Sequence, residues 1–94
     1  MGSTDSAVRR RLVVHGRVQG VFFRASCRDE ANARGVTGSA DNLDDGAVEV
    51  ILEGEQTAVD EMVAWARTGP AHAEVSGVDV YEERLQGLSG FTVS

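Results

Sequence analysis

The stretch Gly16-Arg17-Val18-Gln19-Gly20-Val21-Phe22-Phe23-Arg24 joins a β-branched run on its N-terminal side to a run of four-residue apolar spacing on its C-terminal side. Its two glycines, four residues apart, give a backbone able to curl with N–H groups pointing inward, and a following helix adds unpaired N–H groups and a positive dipole end. Such a turn is a nest for an anion. Arg24 falls in the first turn of that helix, where the dipole disfavours a cation by roughly 0.3 to 1 kcal/mol, and a bound anion would reverse the sign. A guanidinium fork matches a phosphate bidentately, so loop amides plus Arg24 describe a site for a phosphate or phosphoryl group. A strand-to-helix turn with a surface arginine accounts for the same spacing, and the residues alone leave the two readings open. The stretch is not a nucleotide P-loop, which needs Lys-Ser/Thr after its second glycine, and it lacks the dinucleotide spacing.

On the N-terminal side, Val8–Val14 reads as a strand with Leu12 and Val14 on one face and Val13 on the other, closed by His15. Residues 1–7 read as a flexible tail or an appended remnant, and residues 8–94 as one domain. After the loop, Phe23, Cys27 and Ala31 mark a helix with one buried stripe, stopped by Gly35. Cys27 on that stripe reads as a core thiol. Val36–Asn42 is a short strand, Leu43-Asp44-Asp45-Gly46 a hairpin turn, and Ala47–Glu53 a strand with Val48, Val50 and Leu52 on one face and Glu49 and Glu53 on the other. Gly54 ends it. Val59, Met62, Val63 and Ala66 predict a second helix stopping before Gly69-Pro70, with Trp65 packed on its flank. Val75–Tyr81 alternates with Val78 and Val80 inward, Glu82–Gly90 is a loop, and Phe91 and Val93 suggest a terminal strand.

Strand, helix, strand, strand, helix, strand, with a short last strand, predicts an α+β fold. Strands with one apolar face need cover on that side only, so both helices share it. Right-handed crossovers then give a ferredoxin-like split βαβ sandwich, two helices on one face of a four- to five-stranded, mainly antiparallel sheet, with strands one and three central.

Ninety-four residues suffice for a single core that buries roughly 60–70 % of the unfolded surface. One cysteine excludes an internal disulfide, and with no signal-like or membrane-spanning stretch the expectation is a soluble, cytoplasmic protein. The net charge of −6 is unevenly distributed, with seven arginines against three acids in residues 1–34 and two against twelve thereafter. The basic share surrounds the loop and can steer an anionic ligand there, but general nucleic-acid binding needs an extended basic surface. RNA binding on the sheet needs exposed aromatics, where the strands offer Arg11, Val13, His15, Glu49, Ile51 and Glu53. No metal site is expected: a calcium loop starting at Asp41 would put Leu43 and Leu52 at ligand positions despite Asp44, Asp45 and Gly46, and His15 and His72 have no ligand spacing.

Asn42, ending the second strand, is the second chemical group. In the split βαβ arrangement that strand end can approach the loop, and a carboxamide can hold and orient a water. An asparagine before a turn is also a common structural device, and the residue pattern does not separate the two. The stretch 16–24, with Gly35-Val36-Thr37-Gly38, Asn42, Asp45-Gly46, Val48-Glu49, Gly69-Pro70 and Gly90-Phe91 with Val93, resembles the acylphosphatase family from about Arg10 onward. The resemblance implies a small enzyme that hydrolyses the carboxyl–phosphate bond of acyl phosphates without a metal or other cofactor, as a monomer. Carried over by position, Arg24 resembles the family's phosphate-binding arginine and Asn42 the asparagine that positions the attacking water. The phosphate-binding loop would run over Gly16, Arg17, Val18, Gln19, Gly20 and Val21, with the amides of Val18–Val21 cradling the phosphate oxygens. Many relatives carry a large aromatic where this chain has Ser39, which predicts looser packing of the second strand. The length and closing strand favour a free-standing protein over the similar domain at the front of larger maturation enzymes. The alternative in function is a non-catalytic phosphate-binding regulatory module on the same fold.

Overall fold

A computed structural model describes residues 6–94, and most of the tail expected over residues 1–7 lies outside them. The elements run β1 (Ala7–Arg17), α1 (Phe23–Ala33), β2 (Thr37–Asn42), β3 (Val48–Glu55), α2 (Gln56–Ala66), β4 (Glu74–Glu83) and β5 (Phe91–Val93). They form one sheet of order β4-β1-β3-β2-β5, antiparallel except for the β2–β5 pair. This is the expected α+β ferredoxin-like sandwich, with β1 and β3 at the centre and β2 beside β3.

The apolar alternation dictates which face is covered. Leu12 and Val14 of β1 and Val48, Val50 and Leu52 of β3 have no exposed surface, and they meet Phe23, Cys27 and Ala31 of α1 and Val59, Met62 and Ala66 of α2. Helix α1 lies over β2 and β5, and α2 over β1 and β3. The cover runs out at the β4 edge. Val78 packs partly against the core, but Val80, expected inward, is 38 % exposed because no helix extends over that end of the strand. Trp65 packs on the flank of α2, its ring 5.3 Å from that of Phe23. Helix α1 ends as expected at Gly35, where the N–H groups of Val36 and Gly35 return to the carbonyls of Ala31 and Asn32. The Arg34 side chain then reaches both Glu30 and Glu61, tying the helices together.

Strands β1, β3 and β4 outrun their sequence-read ends, β4 taking in Glu82 and Glu83 that were expected in the following loop, whereas β2 and β3 each begin one residue later than expected. Strand β1 continues past His15 through Gly16 and Arg17, and β3 passes Gly54 to Glu55, because pairing between neighbours is set by the facing strand as well as by local pattern. On the sheet face away from the helices, charges stand opposite one another: Arg9 pairs across the strands with Glu53 and with Glu83, and Arg11 lies 4.3 Å from the centre of the Tyr81 ring while bonding Glu83. Glu53 is the deeply buried acid, 4 % exposed. Its carboxylate accepts hydrogen bonds from Arg9 Nη1 at 3.0 Å and from the backbone N–H groups of Gln86, Gly87 and Leu88 at 2.8–3.0 Å. Burial pushes the Glu53 carboxyl up, but the N–H groups of Leu88 and Gln86, the Arg9 guanidinium and the Gly87 N–H outweigh it and hold it below the ordinary carboxylate value. Glu83 is also lowered, by its bonds to Arg11 and Arg9.

Removal of Glu53 leaves three amides without their acceptor and takes from the buried Arg9 one of its two carboxylates, Glu83 being the other. Glu53→Ala is expected to lower stability by about 3 kcal/mol, read as a fall in Tm of at least about 10 °C. Both glutamates are held low in the fold, so their stabilisation is complete above the unfolded carboxylate value and is lost as pH falls through the folded one. The wild-type Tm should decline as pH drops below 4.5, and Glu53→Gln should flatten that decline. A Glu53→Gln variant with the wild-type acid slope would remove Glu53 from this account.

Candidate active site

The strand-to-loop junction is built by a bulge. Register shifts between His15 and Gly16, after which Gly16 pairs with Val75 and Arg17 with Glu74 of β4. A Cβ on Gly16 would lie 2.1 Å from the Glu74 carbonyl oxygen, so only glycine allows this close approach. Gly16 and Arg17, expected in the phosphate loop, therefore belong to the bulged end of β1, and the loop proper begins at Val18. The Val18 side chain is sunk into the core and pins the loop's first residue. The backbone then curls through Gly20 (φ 74°) and Phe22 (φ 63°). Among the described residues Phe22 is the one non-glycine with positive φ, a conformation that costs about 1–2 kcal/mol for an L-residue. Its carbonyl accepts the Ser26 N–H at 3.0 Å and opens helix α1.

The curl and the helix start enclose a cavity of about 250 Å³, lined by Val18, Gly20, Phe22, Phe23, Arg24 and Val93, among others. Arg24, half-buried, projects from the second residue of α1, and its Nη1 donates to the Ser94 backbone carbonyl. A guanidinium carries five N–H donors in one plane, so this contact fixes the orientation of the fork without exhausting it. Ser94 is itself held on β2: its N–H donates to the Ala40 carbonyl at 3.2 Å and its hydroxyl to Asp41.

Gln19 supplies a second strap. Its side chain turns away from the cavity, and Nε2 donates to the carbonyls of both Leu43 and Ala47 at 2.8 Å. These residues close the β2–β3 hairpin through the bond from Leu43 N–H to the Ala47 carbonyl. Asn42 sits between the two straps, paired across the sheet with Val48. Its side chain is exposed and does not line the cavity itself. Val21 packs its side chain against the core. Thus Val18, Gly20 and Arg24 share one cavity, Gln19 ties that cavity to the strand end carrying Asn42, and Gly16 and Arg17 lie in the strand behind it.

The sequence reading did not place Phe22, Val93 or Ser94 at the site. A signal for Phe22 was present: of two consecutive phenylalanines only Phe23 fits the Phe23, Cys27, Ala31 stripe, so Phe22 must point elsewhere. Burial pushes the Cys27 thiol up to about 12, with a smaller contribution from Glu30, which suits a core thiol and not a nucleophile. Among the described residues, no group of three or more His, Cys, Asp or Glu side chains is placed to hold a metal ion. His15 instead pairs with Asp79 on the open face at 2.9 Å. No described helix is long and apolar enough to cross a membrane.

The fold and the cavity together define a small α+β sandwich with a glycine-curled loop between β1 and α1 that borders a cavity shared with Arg24. The acylphosphatase family profile matches residues 10–93. An acylphosphatase of Rubrobacter xylanophilus is 52 % identical to this chain over 94 residues, covering 99 % of this chain and 86 % of the relative. One from Haloquadratum walsbyi is 46 % identical over 90 residues, covering 96 % and 97 %. The structure of an acylphosphatase from Coxiella burnetii superposes with a TM-score of 0.90 at 36 % identity, covering 94 % of this chain and 93 % of that one. The chain belongs to the acylphosphatase family, and it is an enzyme that hydrolyses acyl phosphates.

The pair of hydrogen bonds from Gln19 gives a direct test of the strap. Gln19→Ala should cost about 1–2 kcal/mol of stability. It should lower kcat for benzoyl phosphate by more than it weakens inorganic phosphate binding, since the loop backbone persists while its register on the hairpin loosens. An equal loss of kcat and phosphate affinity would mean that Gln19 shapes the cavity itself.

Proposed function

We propose that the loop amides of Val18, Gln19, Gly20 and Val21 and the Arg24 guanidinium hold the phosphoryl oxygens of the substrate, and that Asn42 orients the attacking water. The observation that supports this reading is the pair of straps: Gln19 of the loop bonds the Leu43 and Ala47 carbonyls just after Asn42, and Arg24 bonds Ser94, which is itself held by Ala40 and Asp41 just before Asn42. A cation at a helix N-terminus also supports it, because a dianionic ligand there is stabilised by both the dipole and the charge.

An acyl phosphate has a good carboxylate leaving group, so in-line positioning and charge stabilisation supply most of what its hydrolysis requires. The water oxygen bonds to phosphorus as the bond from phosphorus to the acyl oxygen breaks. The carboxylate departs with that electron pair, and the water's proton passes to a phosphoryl oxygen of the substrate. An amide such as Asn42 suits this scheme, since it orients a water without serving as its base. On this reading the reaction needs no metal. On the same reading the protein acts in the cytoplasm as a monomer on small acyl phosphates and has no nucleic-acid partner.

Hydrolysis of benzoyl phosphate in EDTA, alongside titration with inorganic phosphate, tests the assignment. Wild-type turnover should be insensitive to chelation. Arg24→Ala should lose phosphate binding and turnover together, with kcat/KM reduced at least about 1,000-fold, as for removal of a charged transition-state donor. Asn42→Ala should retain phosphate affinity within about threefold while kcat falls by roughly 100-fold or more. Equal loss of affinity in the two variants would sink the division of roles, and phosphate binding without turnover in the wild type would favour a regulatory module.

A further inference from the structure

We infer that Phe22 is a specificity-determining residue, an aromatic wall that favours acyl phosphates carrying an aromatic acyl group over those carrying a short aliphatic one. The inference rests on the assignment of Arg24 and the loop to the phosphoryl group. Phe22 is 78 % exposed, the most exposed large apolar side chain among the described residues, so burial in the core does not explain it. Its backbone adopts the left-handed conformation that glycine, asparagine or aspartate would occupy more readily. Both the side chain and the backbone conformation are therefore unfavourable for the free protein. The adjacent Phe23 already fills the core position at the start of α1. An aromatic held in such a conformation at a cavity rim is the kind of feature a ligand contact accounts for.

Position supplies the ligand. Phe22 lines the same cavity as Arg24, and Val18 and Val93 also contribute to its wall, so an apolar surface begins where the cationic one ends. In an acyl phosphate the carbonyl carbon stands only two bonds from phosphorus. A substrate whose phosphoryl group is held by Arg24 must therefore place its acyl group beside the cavity lining. The cavity, about 250 Å³, exceeds the space of a few waters at about 30 Å³ each. A ring in contact with Phe22 gains both apolar burial and an aromatic pair, and an acetyl group gains little of either.

The test compares kcat/KM for benzoyl phosphate and acetyl phosphate in the wild type, Phe22→Gly, Phe22→Asn and Phe22→Tyr. Glycine and asparagine accept the positive φ, so both variants should fold, as checked by circular dichroism and Tm. The benzoyl-to-acetyl ratio should fall about 3- to 10-fold in both and return toward the wild-type value in Phe22→Tyr. Titration with phenylphosphonate and inorganic phosphate gives an independent readout: the affinity ratio of the two should fall by a similar factor. Folded Phe22→Gly and Phe22→Asn variants with wild-type ratios in both measurements would overturn the inference. If the wild type hydrolyses neither substrate, the proposed function fails, while the phenylphosphonate-to-phosphate affinity ratio still decides the role of Phe22.

Discussion

Glu53 gathers the far parts of the chain into one arrangement. It lies on a central strand, faces Arg9 directly across the sheet, and receives three consecutive amides from the segment after β4. An ion pair this deep offsets its own desolvation only when the remaining acceptor sites are filled, and here backbone N–H groups fill them. The amide clamp fixes where the segment leaves the open face. From there the chain passes round to lay Phe91–Val93 parallel to β2, where Gly38 N–H meets the Gly90 carbonyl. Ser94 follows that strand and meets Arg24. A carboxylate on the face opposite the helices thus helps determine how the arginine at the other end of the sheet is held.

The loop shows a division between rigid and strained parts. Gly16 and Val18 anchor it, one by close backbone approach to β4 and the other by a side chain in the core. Between these anchors and α1, the curl at Gly20 and Phe22 is held by Val21 against the core and takes its register from Gln19 on the hairpin. Backbone amides positioned in this way lose little conformational freedom when a ligand arrives, which is the basis of electrostatic preorganisation.

Much of this was legible in the sequence because it is local. The Phe23, Cys27, Ala31 stripe and the Val48, Val50, Leu52 alternation each repeat within one element, and the structure buries those residues. The βαββαβ order with its crossover rules was enough to put β1 and β3 at the centre of the sheet with β2 alongside. The glycine spacing and the position of Arg24 singled out the loop that borders the cavity, while leaving its role open. What escaped depends on contacts distant in sequence. The bulge at Gly16 is imposed by β4, roughly 60 residues later; Gln19 finds its partners on another hairpin; and Ser94 reaches Arg24 across 70 positions. Val80 alternates correctly for an inward residue, and its exposure follows from the extent of the helices, which no pattern within β4 encodes.

The two rims of the sheet are unequal. The β5 side is only three residues long, whereas β4 presents ten residues along the other border. An open border of that length is a template for pairing with a second chain. Glu74, Asp79, Glu82 and Glu83 lie along it with no basic residue among the ten. Two such borders brought side by side would set the exposed Glu74, Asp79 and Glu82 of one against those of the other, a repulsion of the kind that disfavours cross-strand pairing. The acidity of the C-terminal two-thirds thus has a second consequence: along the longest strand border among the described residues it sets like charge against any copy of itself.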